Sequence, residues 1–186
     1  MKYLSICVAV IFIFCESNLW AQEFAKKGIW ELGGRVSYTN QTRVSDGESS
    51  ENSTGIFSLA LPTYYFVIDG LEVGLIPALQ TESNGNGTVT EFALLAGIAY
   101  NIKTESIAYP FLEGDIGFNT RGNGSSRSGI VWVLSGGAKF QIGGNALLGM
   151  GFFYEQKTLE TSSNEGGRDG YNIWGLNLQF GVFFGS

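Results

Sequence analysis

The sequence predicts an all-β fold, an eight-stranded antiparallel up-and-down transmembrane β-barrel. Large apolar residues alternate with small or polar ones along eight stretches, which is the period of a strand with one oily and one wet face. The connections between these stretches are alternately long and short. The last stretch, Tyr171–Ser186, shows the period most clearly. Its large apolar residues are Trp174, Leu176, Leu178, Phe180, Val182 and Phe184, with Phe183 as the exception among the small or polar residues between them.

The composition agrees with alternating strands and excludes some classes of protein. A chain of 186 residues has room for one domain. Charged residues make up 15% of it, whereas about 25% is usual in soluble domains. Mean hydropathy is only +0.10, because the polar half of each alternating strand offsets the apolar half. The net charge of −6 argues against nucleic-acid binding, which needs clustered Lys and Arg.

Residues 1–21 are typical of a secretory signal peptide. Lys2 supplies the positive start, Leu4–Phe14 is a short apolar run, and Ala21 is the small residue expected before the cleavage site. A membrane anchor is the weaker interpretation, because the apolar run is too short to span a bilayer as a helix. We expect residues 22–186 to form the outer-membrane β-barrel domain. Both cysteines of the chain lie in the leader, so the exported domain has no thiol.

Each predicted strand has about the length that a tilted strand needs to cross a bilayer. The strands are Gly28–Asn40, Gly55–Val67, Leu71–Glu82, Val89–Ile102, Ile107–Asn119, Gly129–Ile142, Ala146–Lys157 and Tyr171–Ser186. The predicted long loops are Gln41–Thr54, Ser83–Thr88, Thr120–Ser128 and Thr158–Gly170, and the short turns lie at Asp69–Gly70, Lys103–Ser106 and Gly143–Asn145. Short turns at one end and long loops at the other are typical of bacterial outer-membrane barrels, with the turns in the periplasm. The predicted localisation is therefore the bacterial outer membrane, reached through a cleaved signal peptide.

A soluble eight-stranded barrel of the lipocalin or streptavidin kind is the main alternative. Its water-facing side would be rich in Lys, Glu and Asp, whereas the less apolar face here is mostly Gly, Ala, Ser, Asn and Gln. Aromatic residues also gather at both ends of the apolar face, as expected at two membrane interfaces. These girdles comprise Trp30, Tyr65, Tyr100, Phe140 and Phe184 on the turn side, and Tyr38, Phe57, Phe92, Phe118, Trp132, Tyr154 and Trp174 on the loop side.

Three motifs resemble a known family. Pro62–Gly74 (PTYYFVIDGLEVG) is similar to a hairpin, and Pro110–Phe118 (PFLEGDIGF) to a mid-barrel strand, of the small outer-membrane β-barrels related to OmpA and OmpX. The ending, with Gln179, Gly181 and Phe184, resembles the signal that the barrel-assembly machinery reads. The resemblance implies assembly by that machinery and periplasmic chaperones, and contact with outer-membrane lipid and lipopolysaccharide.

No catalytic chemistry is predicted. The chain contains no His, which excludes His bases and His metal ligands, and we expect no enzyme activity, cofactor or metal. The inward charges are expected to pair with one another and fill a narrow lumen, although passage of ions or protons and a catalytic carboxylate pair at Glu113 and Asp115 are alternatives. The predicted lumen charges are Glu31, Arg35, Glu72, Glu91, Glu113, Asp115, Lys139 and Glu155.

The predicted function is therefore a non-enzymatic outer-membrane protein that is structural, or that binds or adheres to host or envelope ligands through its loops. The alternative is a narrow porin-like channel for ions or small solutes. Acidic clusters in the first and last loops match no dedicated calcium loop, so solvated charge is the expected role. These clusters are Asp46, Glu48 and Glu51, and Glu160, Glu165 and Asp169.

Overall fold

The computed structural model describes residues 24–45, 48–84, 87–122, 126–160 and 168–185. Side chains are described over 24–39, 54–83, 87–122, 127–159 and 172–185. The predicted signal peptide lies outside these ranges. All regular structure within them is β, and they include no helix long and apolar enough to cross a bilayer. The strands are β1 (Trp30–Ser45), β2 (Glu48–Ala60), β3 (Thr63–Ile68), β4 (Leu71–Asn84), β5 (Gly87–Asn101), β6 (Ala108–Gly122), β7 (Ser126–Ile142), β8 (Ala146–Glu160) and β9 (Arg168–Phe184).

The sheet closes on itself. From β3 onwards each strand pairs antiparallel with the next, and β1 pairs with β9 from Trp30 opposite Phe184 to Ser37 opposite Asn177. Two glycines, Gly33 and Gly181, face each other in this closing pair. Because the first and last strands are joined, the barrel has no free edge. The predicted all-β, up-and-down antiparallel barrel is confirmed.

The strands β2 and β3 are two halves of one barrel strand, so nine segments make an eight-stranded barrel. The register is the same on both sides of the break: Leu32 lies opposite Thr63, and Arg35 opposite Ala60. Pro62 interrupts the ladder because proline has no N–H to donate. Its carbonyl still accepts from the N–H of Gly33 at 2.8 Å. The interruption therefore leaves the alternation of inward and outward side chains intact.

The prediction of four long irregular loops is wrong, because the strands continue into those segments. In the first, β1 runs to Ser45 and pairs there with Glu48 of β2; the other three hairpins extend similarly. These extensions consist mainly of polar residues and lack the alternation that predicts a strand, while the antiparallel backbone pairing continues. Only the tips, residues 46–47, 85–86, 123–125 and 161–167, lie outside the described residues. At the other end the turns are short, as predicted.

The two faces of the barrel differ sharply in chemistry. The outward side chains are apolar and exposed, for example Leu75 (57%), Ile116 (60%) and Leu176 (63%). Among the strand residues with described side chains, no Asp, Glu, Lys or Arg is exposed, because all of these face the lumen. The distribution is the reverse of that in a soluble barrel.

Several outward aromatic residues lie in pairs at the two ends of the apolar band. At the turn end, the rings of Trp30 and Tyr65 have centroids 4.9 Å apart. At the loop end, Tyr154 lies 5.4 Å from Trp132 and pairs across the strands with Trp174. The remaining members of the proposed girdles in these strands, Tyr100 and Phe140 among them, also point outward.

Glycines on the lumen face allow neighbouring strands to approach closely, and Gly137 offers a test of this. On β7, Gly137 lies opposite Gly151 of β8; a Cβ at Gly137 would meet the carbonyl oxygen of Met150 and lie 2.6 Å from the Cα of Gly151. On β6, Gly114 has no atom within 4 Å of its would-be Cβ. We expect Gly137→Val to lower the free energy of unfolding by about 2 kcal/mol or more, because the strands must separate.

The matched control is Gly114→Val, which makes the same change in a strand without the collision. Both variants are refolded in detergent, and the urea midpoint is followed by tryptophan fluorescence. Equal midpoints for the two variants would contradict the close approach of β7 and β8.

Candidate functional site: the charged lumen

Among the residues with described side chains, three charged groups cross the lumen, each with two carboxylates around one cation. The first surrounds Lys139 of β7. Its Nζ lies 2.7 Å from Glu31 on β1 and 2.9 Å from Glu72 on β4, and all three side chains are buried. The amide of Asn101 donates to Glu72 at 2.8 Å. This group ties three distant strands together across the interior.

The second group surrounds Arg35 of β1. One terminal nitrogen of its guanidinium donates to both oxygens of Glu113, at 2.5 and 2.8 Å, while the other lies 3.7 Å from Asp115. The hydroxyl of Tyr64 donates to Asp115 at 3.2 Å. The carboxylates that the sequence places two residues apart on β6 therefore share one guanidinium, and the inward Tyr64 adds a donor to Asp115 alone.

The third group surrounds Lys157 of β8 and lies nearest the loops. Its Nζ is 3.0 Å from Glu91 on β5 and 3.8 Å from Glu155 on its own strand, and it donates to the side-chain oxygen of Gln80. The amide of Asn119 donates to Glu91 at 2.9 Å. Each of the three groups thus has one cation, two carboxylates and a neutral hydrogen-bond donor.

Every charge predicted for the lumen lies in one of these three groups. Sequence reasoning missed Lys157, although its spacing of two from Glu155 places it on the same inward face. It also gave no role to Tyr64, Asn101 and Asn119, because neutral side chains on an inward face carry no signal of their partners. The pairing follows from the barrel's width, since eight strands leave room only for side chains.

Two carboxylates for each cation leave an excess of negative charge in the lumen. The pairs Glu31 and Glu72, Glu113 and Asp115, and Glu91 and Glu155 each share a single cation. A further pair near the loops, Arg121 and Glu82 at 2.6 Å, is balanced. Because unpaired charge costs far more in a dry interior than in water, the excess must be compensated.

An aromatic cluster lies in the lumen at the turn end. Phe24 is fully buried; its ring packs edge-on against Phe66 at 5.2 Å and Tyr109 at 5.0 Å, and lies 5.3 Å from Phe183. The ammonium of Lys139 lies 5.5 Å above the Phe24 ring. The inward position of Phe183 explains why it broke the alternation in the last strand.

The segment that carries Phe24 is held by the turns beside it. Gly70 donates its N–H to the carbonyl of Ala25 at 2.9 Å. Asp69 accepts from the backbone N–H of Lys27 at 2.9 Å and from the Nζ of Lys103 at 3.1 Å. These hydrogen bonds, with the backbone donor as the larger cause, hold the pKa of Asp69 below its usual value because they favour the carboxylate.

Between the Arg35 and Lys157 groups lies a cavity of about 80 Å³. Its walls are largely apolar, with Ile76, Leu95 and Val131 among them. Asp115 contributes to it from the Arg35 group and Glu155 from the Lys157 group. A cavity of this size, bounded by charges, has room for a few water molecules.

The remaining predicted sites have clear positions. Of the residues predicted as an assembly signal, Gln179 and Gly181 face the lumen, where Gln179 donates to Asn177 at 3.1 Å. Phe184 faces outward and is 50% exposed. The side chains of the acidic loop clusters lie outside the described residues.

The comparisons with known proteins agree with this architecture. The barrel is similar to the crystal structure of Neisserial surface protein A, with a TM-score of 0.59 and 16% sequence identity over 86% of this chain and 98% of that one. The two share a fold. No family model and no curated protein matches the chain at the level of sequence.

The Lys157 group offers a test of charge balance. We expect Lys157→Met to lower the free energy of unfolding by about 3–5 kcal/mol, because two buried carboxylates lose their cation. We expect Glu155→Gln to change it by about 1 kcal/mol or less, because this carboxylate is the more distant partner in a group with negative charge to spare. Urea unfolding of both variants in the same detergent checks that Lys157→Met loses more unfolding free energy than Glu155→Gln. Similar losses for the two variants would contradict the two-to-one balance.

Proposed function

We propose that the protein is a non-enzymatic, integral outer-membrane β-barrel with a lumen closed by its own side chains, and that it acts through its surface loops. The outward face supports the membrane part of this proposal. Exposed apolar side chains without charge are unfavourable in water and favourable against lipid tails. The aromatic pairs at both ends of the band fit the two membrane interfaces. Export through a cleaved signal peptide is part of the proposal.

The single observation that carries the closed-lumen proposal is the stack of the aromatic cluster and the three charged groups. Along the axis from the turn end lie the Phe24 cluster, the Lys139 group, the Arg35 group and the Lys157 group. Each crosses the lumen from strand to strand, as the contacts of Lys139 with β1 and β4 illustrate. A pathway for solutes would require these contacts to break. The same contacts account for the carboxylates as structural groups rather than as catalytic ones.

We propose that ligands bind at the loop end of the barrel. The four hairpins extend beyond the apolar band there, whereas the other end has only short turns. We propose a structural role or the binding of host or envelope ligands through these hairpins. The other partners are outer-membrane lipid and lipopolysaccharide around the barrel, and the assembly machinery and periplasmic chaperones that would deliver it.

A narrow channel is the second candidate, and the cavity beside Arg35 is the observation that favours it. We expect the refolded protein to give no unitary currents in planar bilayers, since charged groups lie on both sides of the cavity. Insertion is checked by heat-modifiable migration on gels. Steady currents that fall in Glu113→Gln or Lys139→Met would overturn the closed lumen, and a protein soluble without detergent would overturn the membrane proposal.

Binding through the loops is tested by shortening them. Deletion of residues 41–54 or of 158–170 removes most of the first or last hairpin extension, and we expect it to reduce binding of whole cells to host surfaces or envelope fractions. Deletion of 83–88 is the control, since it shortens the smallest hairpin. Heat-modifiable migration shows that each variant is folded. Unchanged binding by folded variants that lack both large hairpins would contradict recognition through these loops.

A further inference from the structure

Two carboxylates in the lumen are poorly compensated, and both face the same cavity. Asp115 lies 3.7 Å from Arg35, which holds Glu113 at 2.5 Å; Glu155 lies 3.8 Å from Lys157. Each is the more distant carboxylate of its group. Both line the cavity of about 80 Å³, together with Arg35 and Glu91.

The cavity also presents polar atoms that have no protein partner. The hydroxyl of Ser135 and the side-chain nitrogen of Asn177 are buried and unpartnered, as is the Nε of Arg35. Ser135 and Asn177 are each 2% exposed, and both line the cavity. Buried polar groups of this kind are normally satisfied by water or a ligand. The hydroxyl can coordinate a cation, while the two N–H groups can donate to the oxygen of water.

We propose that this cavity binds one small monovalent cation, Na⁺ or K⁺, between Asp115 and Glu155. The volume of about 80 Å³ accommodates the ion together with a few water molecules. The carboxylates supply the charge, the Ser135 hydroxyl supplies a neutral ligand, and the waters accept from Asn177 and Arg35. The ion compensates part of the negative excess in the lumen.

Divalent ions fit this cavity less well. Ca²⁺ takes six to eight oxygen ligands, and Mg²⁺ requires a near-ideal octahedron that usually includes several waters. Glu91 also lines the cavity, but Lys157 at 3.0 Å and the amide of Asn119 at 2.9 Å already hold its carboxylate. Asp115 and Glu155 alone supply too few oxygens for Ca²⁺, and the Arg35 guanidinium on the same wall repels a double charge more strongly than a single one. A single charge also matches the two carboxylates better, because each already has a distant cation.

The experiment measures thermal unfolding of the detergent-solubilised protein, in a fixed concentration of urea, at one chloride concentration. Na⁺ and K⁺ are compared with N-methylglucamine, which is too large for the cavity. We expect the small ions to raise the midpoint by about 3 °C or more at a concentration of about ten times the dissociation constant. The double variant Asp115→Asn, Glu155→Gln should lose this increment. Broadening of the sodium NMR signal by the parent protein, reversed by K⁺, gives a second readout that does not depend on unfolding.

The control is Asp69→Asn, which removes an exposed carboxylate of a turn far from the cavity and should keep the whole increment. Equal midpoints in all three salts, with no broadening, would overturn the proposal in favour of protons as the compensating charge. An increment produced only by Ca²⁺ or Mg²⁺ would overturn the choice of a monovalent ion, and one that survives in the double variant would place the ion elsewhere. Conductance tests the closed lumen of the proposed function, whereas the unfolding midpoint and the sodium signal test the bound ion. Either proposal can therefore fail while the other holds.

Discussion

The structure depends on the hydrogen bonds between β1 and β9. Against a lipid environment every backbone N–H and C=O on the outer surface must be paired within the protein, because no water is present to replace a missing partner. Closure satisfies this requirement only if the last strand meets the first in register, as Trp30 and Phe184 do. The apolar outer face and the polar inner face both follow, because closure fixes which side each residue faces.

Closure with only eight strands makes the interior narrow, and the narrow interior explains its chemistry. Every inward residue must share space with residues from the strands opposite, so long charged residues need small neighbours. Gly137 allows β7 and β8 to approach, while Lys139, one inward position away, reaches across to Glu31 and Glu72. The charged groups join specific pairs of strands across the lumen. Apolar side chains would fill the same space, but their contacts are not directional and would not select particular partners.

Most of the fold can be predicted from the sequence, because the alternation of apolar and polar residues is a local property. It correctly assigned the face of residues as different as Glu72 and Leu75, and the register survived Pro62. It does not predict the extension of β1 to Ser45, because the residues beyond the apolar band are mainly polar and show no alternation. The sequence also does not predict which charged residues pair with one another. The pairing of Lys157 with Glu91 joins residues 66 positions apart and depends on the barrel's curvature.

The Phe24 cluster has a consequence for the order of folding. Its wall combines Phe66 from β3, Tyr109 from β6 and Phe183 from β9, so the space for the Phe24 ring does not exist until β9 has joined the sheet. The segment at the start of the barrel domain can therefore dock only after its last strand is in place. Burial of Phe24 thus reports the completion of the barrel, and a half-closed sheet would leave this ring exposed at the end where the turns lie.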